Sequence, residues 1–200
     1  MRRVTLSMML SLDGRIAASD GALDWFRSGP DFEEHMLRLL RTVDGFIFGR
    51  VSYELLAQYW PTATSTTDTP PGDGFSTPER RVEFARLMNT LPKIVVSNTL
   101  REPSWTPARV IGGDIAAEAA RLKREPGRDL ALFAGARLAT TFLNLDLVDE
   151  LHLMVHPVVL GGGPSLFGDV SRRLELELVE ARRFECGVVL LRYRREPHGS

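Results

Sequence analysis

Three junctions between an apolar strand and a following helix constrain the fold of this chain most strongly. They read GFIFGRVS over residues 45–52, KIVVSNT over 93–99 and LALFAGAR over 130–137. In each one an apolar run meets glycine or small polar residues, and a helical pattern begins just beyond. In an open α/β sheet such junctions lie at the carboxyl edge, where ligands bind. Free backbone N–H groups and the helix dipole make each of them a candidate phosphate cradle.

Length and composition narrow the class of protein. The 200 residues contain no Pro/Gly/Ser linker between two self-sufficient halves, so we expect a single domain over 1–200. Lys and Arg number 25 against 26 Asp and Glu, which gives no electrostatic reason to propose a nucleic-acid partner. The single cysteine, Cys186, cannot form an internal disulfide. Since we find neither a signal peptide nor an apolar run of membrane-spanning length, we expect a cytoplasmic protein.

Strand and helix patterns alternate along most of the chain. A buried strand is expected from Val4 to Leu12, and the further strands at 46–48, 93–97, 108–111, 130–134 and 150–159. Helices are expected at 31–43, 52–59, 79–88, 114–123 and 137–145, with Leu55, Leu56 and Tyr59 of the second facing inward. The strict alternation after Leu174 and the run 187–193 predict an antiparallel hairpin. We therefore predict an α/β fold, a three-layer α/β/α sandwich with a mostly parallel sheet and a C-terminal antiparallel hairpin.

The segment 61–78 is rich in Thr, Ser, Pro and Gly, and it predicts a surface loop. Its length is typical either of a lid or of a disordered stretch, and the sequence leaves both readings open.

The polar residues of the three junctions suit a ligand with more than one phosphate. Gly49 lets a backbone approach an anion, Ser52 can donate a hydrogen bond, and Arg50 offers a planar fork. The cluster 97–99 and the small residues 134–136 supply further donors and close backbone approach. A phosphorylated dinucleotide is the natural candidate, so the junctions favour an oxidoreductase. Neither G-x-G-x-x-G after a strand nor a P-loop motif is present, which excludes the standard forms of both sites.

His152 and His156 have the spacing H-x-x-x-H, but they alternate with apolar residues in a strand pattern. Residues four apart on a strand are separated by about 13 Å, too far to share one metal ion. We therefore predict no metal site. No nucleophile elbow appears either.

Taken in order, several short motifs resemble a known superfamily. The run SLDGRIA at 11–17 resembles the S-L-D-G-x-I-A signature of the riboflavin-pathway reductase domain, which has the dihydrofolate-reductase-like fold. Five further motifs follow in the order typical of stand-alone members: DW at 24–25, GRVSYE at 49–54, VVSNTL at 95–100, LVDEL at 147–151 and PVVLGGG at 157–163. The resemblance spans roughly residues 2–194.

This resemblance implies NADPH as the hydride donor and a small-molecule substrate. It assigns the adenosine 2′-phosphate and the pyrophosphate to Gly49, Arg50, Ser52, Ser97, Asn98 and Thr99. It lines the pyrophosphate further with Gly135, Ala136 and Arg137. It places the backbone of Met9 and the ring of Trp25 beside the nicotinamide. The substrate would lie between the Asp13 loop, the 31–43 helix and the 157–163 segment, near Ser11, Tyr53, Pro157, Leu160 and Gly161.

Dihydrofolate reductases use one buried carboxylate at the start of the helix after the first strand, and Asp31 lies at a comparable point. Buried near Trp25 and Phe32, Asp31 would have a raised pKa and could relay a proton. The alternative is that it only starts the helix. Asp13 and Asp24 are the other candidates.

The chain also departs from the dedicated riboflavin-pathway reductases. These carry a Thr…Asp-x-Pro…Arg stretch after the second strand that grips a ribityl phosphate, whereas this chain reads YE at 53–54 and WPT at 60–62, without that arginine. We also expect no deaminase domain, which is often fused ahead of the reductase. The resemblance thus favours an NADPH-dependent reductase of a small heterocyclic (pterin- or pyrimidine-like) or carbonyl substrate, as a homodimer. The alternatives are 5-amino-6-(5-phosphoribosylamino)uracil reductase, weak dihydrofolate reduction and a non-catalytic NADPH-binding sensor.

Overall fold

The computed structural model describes residues 1–64 and 75–195. The strands are β1 (Val4–Ser11), β2 (Val43–Gly49), β3 (Lys93–Val96), β4 (Ala108–Ile111), β5 (Asp129–Leu132), β6 (Glu150–His156), β7 (Leu176–Arg183) and β8 (Val189–Arg195). The helices are α1 (Pro30–Thr42), α2 (Arg50–Ala57), α3 (Pro78–Thr90), α4 (Ile115–Arg124) and α5 (Ala136–Asn144). In the described part of the chain, no helix is both long and apolar enough to cross a bilayer.

The strands form one sheet in the order β4-β3-β2-β5-β1-β6-β8-β7. All neighbours from β4 to β6 are parallel, and β8 runs antiparallel to both β6 and β7. The register pairs Leu6 with Leu132 of β5 and with Leu151 of β6, so β1 lies at the centre of the sheet. The mostly parallel sheet with a C-terminal antiparallel hairpin is confirmed.

Helices cover both faces of this sheet. On one face α1 and α3 bury Leu40 and Phe84 against Phe46 and Phe48 of β2. On the other face α4 and α5 pack against Ile47 and the β1 side chains, including Leu6. Alternate residues of a central parallel strand therefore enter two separate cores, which is why β2 carries the consecutive apolar residues Phe46, Ile47 and Phe48. The three-layer arrangement is confirmed.

Ion pairs close the amino ends of the strands. Arg3 bonds Asp129 and Glu150, while Lys123 at the end of α4 bonds Asp149 at 2.8 Å. Burial acts to raise the pKa of Glu150, but His152 and the facing arginines outweigh it, and this pKa lies below its usual value. This edge of the sheet is thus held by charge pairing, and most of its donors have partners.

Several predicted boundaries were wrong. Val43 begins β2 instead of ending α1, and β6 ends at His156, so residues 157–159 lie beyond it. Helix α2 begins at Arg50, two residues early, and this rotates its buried face: Tyr53 is 1% exposed, whereas Leu55 is 51% exposed. Of the predicted loop 61–78, Ala63 is buried and Pro78 begins α3, while residues 65–74 lie outside the described part of the chain.

Candidate functional site

Two helices begin side by side at the carboxyl edge of the sheet. Helix α2 starts after Gly49 and helix α5 after Gly135, and neither start has a side chain that accepts its free N–H groups. A Cβ atom added to Gly135 would lie 3.7 Å from Ser52 Oγ, and one added to Gly49 would lie 3.6 Å from Leu138. By contrast, Thr77 caps α3. The two uncapped helix starts therefore face one crevice with unpaired donors.

The crevice is a topological switch point of the sheet. Strands β2 and β5 are neighbours, but the chain leaves β2 toward β3 and leaves β5 toward β6, in opposite directions. Helices α2 and α5 therefore pack on opposite faces of the sheet, an arrangement that typically creates a crevice between the two helix starts. Ligands of open α/β sheets bind at such points. This geometry agrees with the phosphate cradle expected from the sequence.

The two arginines expected at the cradle are exposed at its rim. Arg50 bonds Glu54 of the next helical turn at 2.7 Å, and such a solvent-exposed pair is easily exchanged for another anion. Arg137 occupies the first turn of α5 with an exposed side chain, next to Ala136. Both arginines thus have exposed side chains in the first turns of the two uncapped helices.

The 97–99 loop lies at the end of β3, one strand beyond β2. Its polar groups shape the loop: Ser97 Oγ accepts the N–H groups of Thr99 and Leu100, and Asn98 Oδ1 accepts that of Gly113. Asn98 and Thr99 are exposed. The structure therefore places the loop on the same edge as the cradle, with part of its hydrogen-bonding capacity already used.

On the other side of the cradle, Asp13 joins two loops at the ends of β1 and β6. Its carboxylate accepts hydrogen bonds from Ser11 Oγ at 2.6 Å and from the backbone N–H groups of Leu160 and Gly161. Led by the Ser11 bond, these donors lower the pKa of Asp13 to about 2. Asp13 is therefore ionised at neutral pH, which suits a loop clasp better than a proton donor.

A second set of contacts reinforces this clasp. Arg15 donates to the Gly163 carbonyl at 3.0 Å, and Leu12 N–H donates to the Val158 carbonyl. Gly163 has φ +94°, and a Cβ there would collide with the Ala17 carbonyl. Only glycine fits this approach of the two loops. The SLDG and PVVLGGG motifs thus form one folded unit.

Aromatic rings surround a buried histidine at the same strand ends. His156, the last residue of β6, is 1% exposed, and the rings of Trp25, Phe26 and Phe32 lie 5.4, 5.4 and 6.0 Å from its centroid. Its Nε2 lies 3.4 Å from Met9 Sδ. Burial, with Arg27 as a lesser cause, lowers the pKa of His156 to about 4. His156 and these three rings therefore form a neutral, largely apolar wall, which we call the aromatic wall. Such a wall suits a flat ring of a ligand.

Asp31 lies at the start of α1, and both of its carboxylate oxygens accept backbone hydrogen bonds. One bonds Phe32 N–H at 2.8 Å, and the other bonds Glu185 N–H at 2.9 Å in the turn between β7 and β8. Asp31 therefore connects the start of α1 to the turn between β7 and β8. The buried carboxylate of this helix is instead Glu33, 3% exposed, which accepts from Ser28 Oγ and from both the N–H and Oγ of Ser76.

The remaining substrate-side residues are not all brought together. Pro157 is exposed and directly follows His156. Tyr53 is buried, and its hydroxyl donates to the Trp105 carbonyl and accepts from the Trp105 N–H, so it has no surface for a ligand. Asp24 is exposed in the turn that carries Trp25. Across residues 1–64 and 75–195, no cluster of three or more His, Cys, Asp or Glu side chains could hold a metal ion.

Sequence reasoning missed His156 and Glu33 as site residues, although each carries a signal. A parallel strand covered on both faces buries even its alternate polar residues, which therefore need internal partners. This applies to both histidines of β6. Glu33 lies four residues before Leu37 and seven before Leu40, on the apolar face of its helix. A carboxylate on such a face predicts a buried acceptor.

Known proteins resemble the chain over nearly its whole length. The protein YyaP of Bacillus subtilis (strain 168) is 38% identical over 192 residues, which cover 96% of this chain and 94% of YyaP. YwjB of the same organism is 30% identical, over 94% of this chain and 96% of YwjB.

Among solved structures, a protein from Shewanella sp. PV-4 named for riboflavin biosynthesis superposes with a TM-score of 0.75 at 23% identity, covering 98% of this chain and 99% of that one. A Thermotoga maritima deaminase/5-amino-6-(5-phosphoribosylamino)uracil reductase superposes with a TM-score of 0.63 at 16% identity, covering 98% of this chain and 57% of that chain. These likenesses show a shared fold.

The family model called RibD C-terminal domain matches residues 2–190. It includes strands β1 to β7, only the first two residues of β8, and both helix starts that form the crevice. The chain therefore belongs to the RibD C-terminal domain family, a family of riboflavin-pathway reductase domains.

Proposed function

We propose that the protein is an NADPH-dependent reductase of a small heterocyclic or carbonyl compound. One observation carries the proposal: α2 and α5 begin at glycines, without side-chain caps, at the switch point between β2 and β5. Donors left unpaired by the protein itself, beside two exposed arginines, suit the phosphates of a dinucleotide. Family membership supports a reductase, and it agrees with this reading.

Each part of the cradle has a proposed task. The backbone N–H groups after Gly49 and Gly135 would bind the pyrophosphate, with Ser52, Ala136 and Arg137 around them. Arg50 would leave Glu54 to pair with the adenosine 2′-phosphate, next to Ser97, Asn98 and Thr99. Bound NADPH would supply a hydride. The protein would contribute mainly by holding donor and acceptor rings face to face.

The substrate would lie over the ends of β1 and β6, one strand beyond the cradle. The clasp of Ser11, Asp13, Leu160 and Gly161 would form one side of the substrate site. The aromatic wall that includes Trp25 would form the other side, where Trp25 and Met9 would also flank the nicotinamide. Tyr53 and Trp60, in the region where dedicated pathway enzymes grip a phosphate, are both buried. We therefore favour a substrate without a ribityl phosphate over the phosphoribosylaminopyrimidine.

Asp31 remains the proposed candidate for proton relay, although its two backbone bonds favour the simpler role at the helix start. Asp31→Asn separates the two. In a relay, turnover of a verified substrate falls while the NADPH-induced stabilisation persists. Unchanged turnover would leave Asp31 as a structural residue.

We also propose a homodimer, formed through the hairpin. Strand β7 is the edge of the sheet, and its Leu178 and Val179 are 53% and 38% exposed. An open, partly apolar edge strand favours self-association. Light scattering coupled to size exclusion should give about twice the mass of the 22.3 kDa chain. A monomer at micromolar concentration would contradict this part of the proposal.

The first experiment is thermal unfolding with saturating NADPH and, separately, NADH. A ligand at one hundred times its Kd stabilises the fold by about 2.7 kcal/mol, which corresponds to roughly 5–10 °C for a domain of this size. We expect that shift with NADPH and a much smaller one with NADH. No shift with either would contradict the proposal. A shift without NADPH oxidation across a substrate panel would favour the sensor.

A further inference from the structure

Two buried side chains attach the turn 22–28 to the rest of the molecule. Arg27 N–H donates to His156 Nδ1 at 3.0 Å, and Ser28 Oγ donates to Glu33 Oε1 at 3.1 Å. Both acceptors belong to residues less than 5% exposed. The turn's other hydrogen bonds among the described residues stay within 18–28, such as the bond from Trp25 Nε1 to the Ala22 carbonyl. The position of Trp25 therefore depends on two anchors.

The anchor at His156 also reaches the centre of the sheet. Because Nδ1 accepts the Arg27 N–H, the neutral ring carries its proton on Nε2, the atom that lies 3.4 Å from Met9 Sδ. The Trp25 ring stands edge-on to the imidazole at 5.4 Å. One imidazole thus sets Met9 and Trp25 relative to each other, and these are the two residues proposed to flank the nicotinamide.

We propose that His156 is a positioning residue of the active site, which holds the Trp25 turn against Met9 and so fixes the wall beside the reacting rings. The inference rests on the proposed function for its catalytic meaning, but the placement itself is a property of the protein alone. His156 touches neither proposed ligand and transfers no proton. It acts through the Arg27 N–H and the Met9 sulfur.

His152 shows what a purely structural histidine looks like on the same strand. It lies four residues earlier on the same face and is 8% exposed. Its Nε2 contacts Glu150 and Arg192, far from the Trp25 turn. Loss of either histidine removes a buried polar group, but only His156 should alter the surroundings of Trp25. His152 is therefore the matched control.

The test compares His156→Asn, His156→Gln and His152→Gln. The Asn amide oxygen can take the place of Nδ1 and accept the Arg27 N–H, whereas Gln places its amide near the Nε2 position. Acrylamide quenching of tryptophan, without any ligand, reports on Trp25, because Trp60 and Trp105 are only 8% and 3% exposed. We expect about a twofold rise in the quenching constant for His156→Gln only, as local opening exposes the ring.

A second readout uses bound NADPH. Energy transfer from tryptophan to the bound cofactor should fall in His156→Gln and persist in His156→Asn and His152→Gln. If His156→Gln does not fold by circular dichroism, Arg27→Pro removes the N–H donor from the exposed side of the turn and should raise quenching in the same way. Equal quenching in the Asn and Gln variants, or no change in Arg27→Pro, would overturn the placement.

The same experiments keep the two proposals apart. Failure of NADPH to stabilise the wild-type protein would overturn the proposed function while the quenching series still decides the placement. A normal NADPH shift with unchanged quenching in every variant would overturn the positioning role and leave the reductase standing.

Discussion

The amino edge and the carboxyl edge of the sheet, where the parallel strands begin and end, differ in whether their polar groups have partners. At the amino edge, Arg3, Lys123 and Glu150 are engaged in short ion pairs and hydrogen bonds. At the carboxyl edge of the same sheet, α2 and α5 start at glycines whose helical N–H groups have no side-chain partner. Satisfied polar groups stabilise a fold, whereas unsatisfied ones are tolerated where a ligand completes them. The contrast separates residues that hold the sheet from residues that we propose bind the cofactor.

The largest effect should come from the amino edge. In Glu150→Ala, the arginines and His152 around a carboxylate that is 5% exposed lose their common partner. Breaking such a buried pair should cost about 3 kcal/mol of unfolding free energy, measured by urea denaturation. The control Glu175→Ala removes a carboxylate that is 62% exposed and pairs with Arg173, and it should cost less than about 0.5 kcal/mol. Equal losses of unfolding free energy in the two variants would contradict the stabilising role of the amino edge.

The converse should hold at the carboxyl edge. Gly135→Val keeps an ordinary φ of −69°, but its side chain fills the space toward Ser52. NADPH affinity should fall about 100-fold, or ~2.7 kcal/mol, while the melting temperature without ligand changes little. Titration calorimetry measures the affinity. Ala116→Val, in the first turn of the capped helix α4, is the control and should bind NADPH normally. If Gly135→Val bound NADPH with wild-type affinity, the result would contradict the proposed phosphate cradle at Gly135.

Acid should weaken the carboxyl edge through His156. Burial, aided by Arg27, lowers its pKa from 6.5 to about 4, so between these values the unfolded chain binds the proton and the folded chain does not. Unfolding free energy therefore falls as pH drops below 6.5, by about 2 kcal/mol from this group at pH 5. Urea titrations at pH 7 and pH 5 should show this loss in the wild type, and His156→Asn should lack that share of it. The same pH dependence in both proteins would contradict the assignment.

The smallest effect should be at the rim of the cradle. Arg50→Gln removes an exposed guanidinium that pairs only with Glu54 among the described residues. The preference for NADPH over NADH should fall about tenfold, or ~1.4 kcal/mol, and stability should change by less than about 0.5 kcal/mol. Arg38→Gln, which removes a similar exposed pair with Glu34 on α1, should leave the preference intact. An unchanged preference in Arg50→Gln would show that Arg50 does not bind the 2′-phosphate.

The fold followed from the sequence because hydrophobic periodicity records it directly. Apolar runs ended by Gly49, Ser97 and Gly135 predict strand ends, and the alternation after Leu174 predicts the hairpin. The site was less readable, because side-chain partners come from distant parts of the chain. Nothing local in Asp13 shows that Leu160 and Gly161 will donate to it, and nothing in His156 shows that Arg27 will. Helix rotation also misled, since a start two residues early buried Tyr53 and exposed Leu55.

The central position of β1 has a consequence for how the protein is made. Among the described residues, this first strand pairs only with β5 and β6, and each paired residue lies more than 120 positions further along the chain. At typical synthesis rates its partners leave the ribosome roughly ten seconds later. Until then, both edges of this apolar strand remain unpaired in the nascent chain. Such an exposed strand favours chaperone binding or aggregation. The central strands of the sheet can therefore pair only when synthesis of the domain is nearly complete.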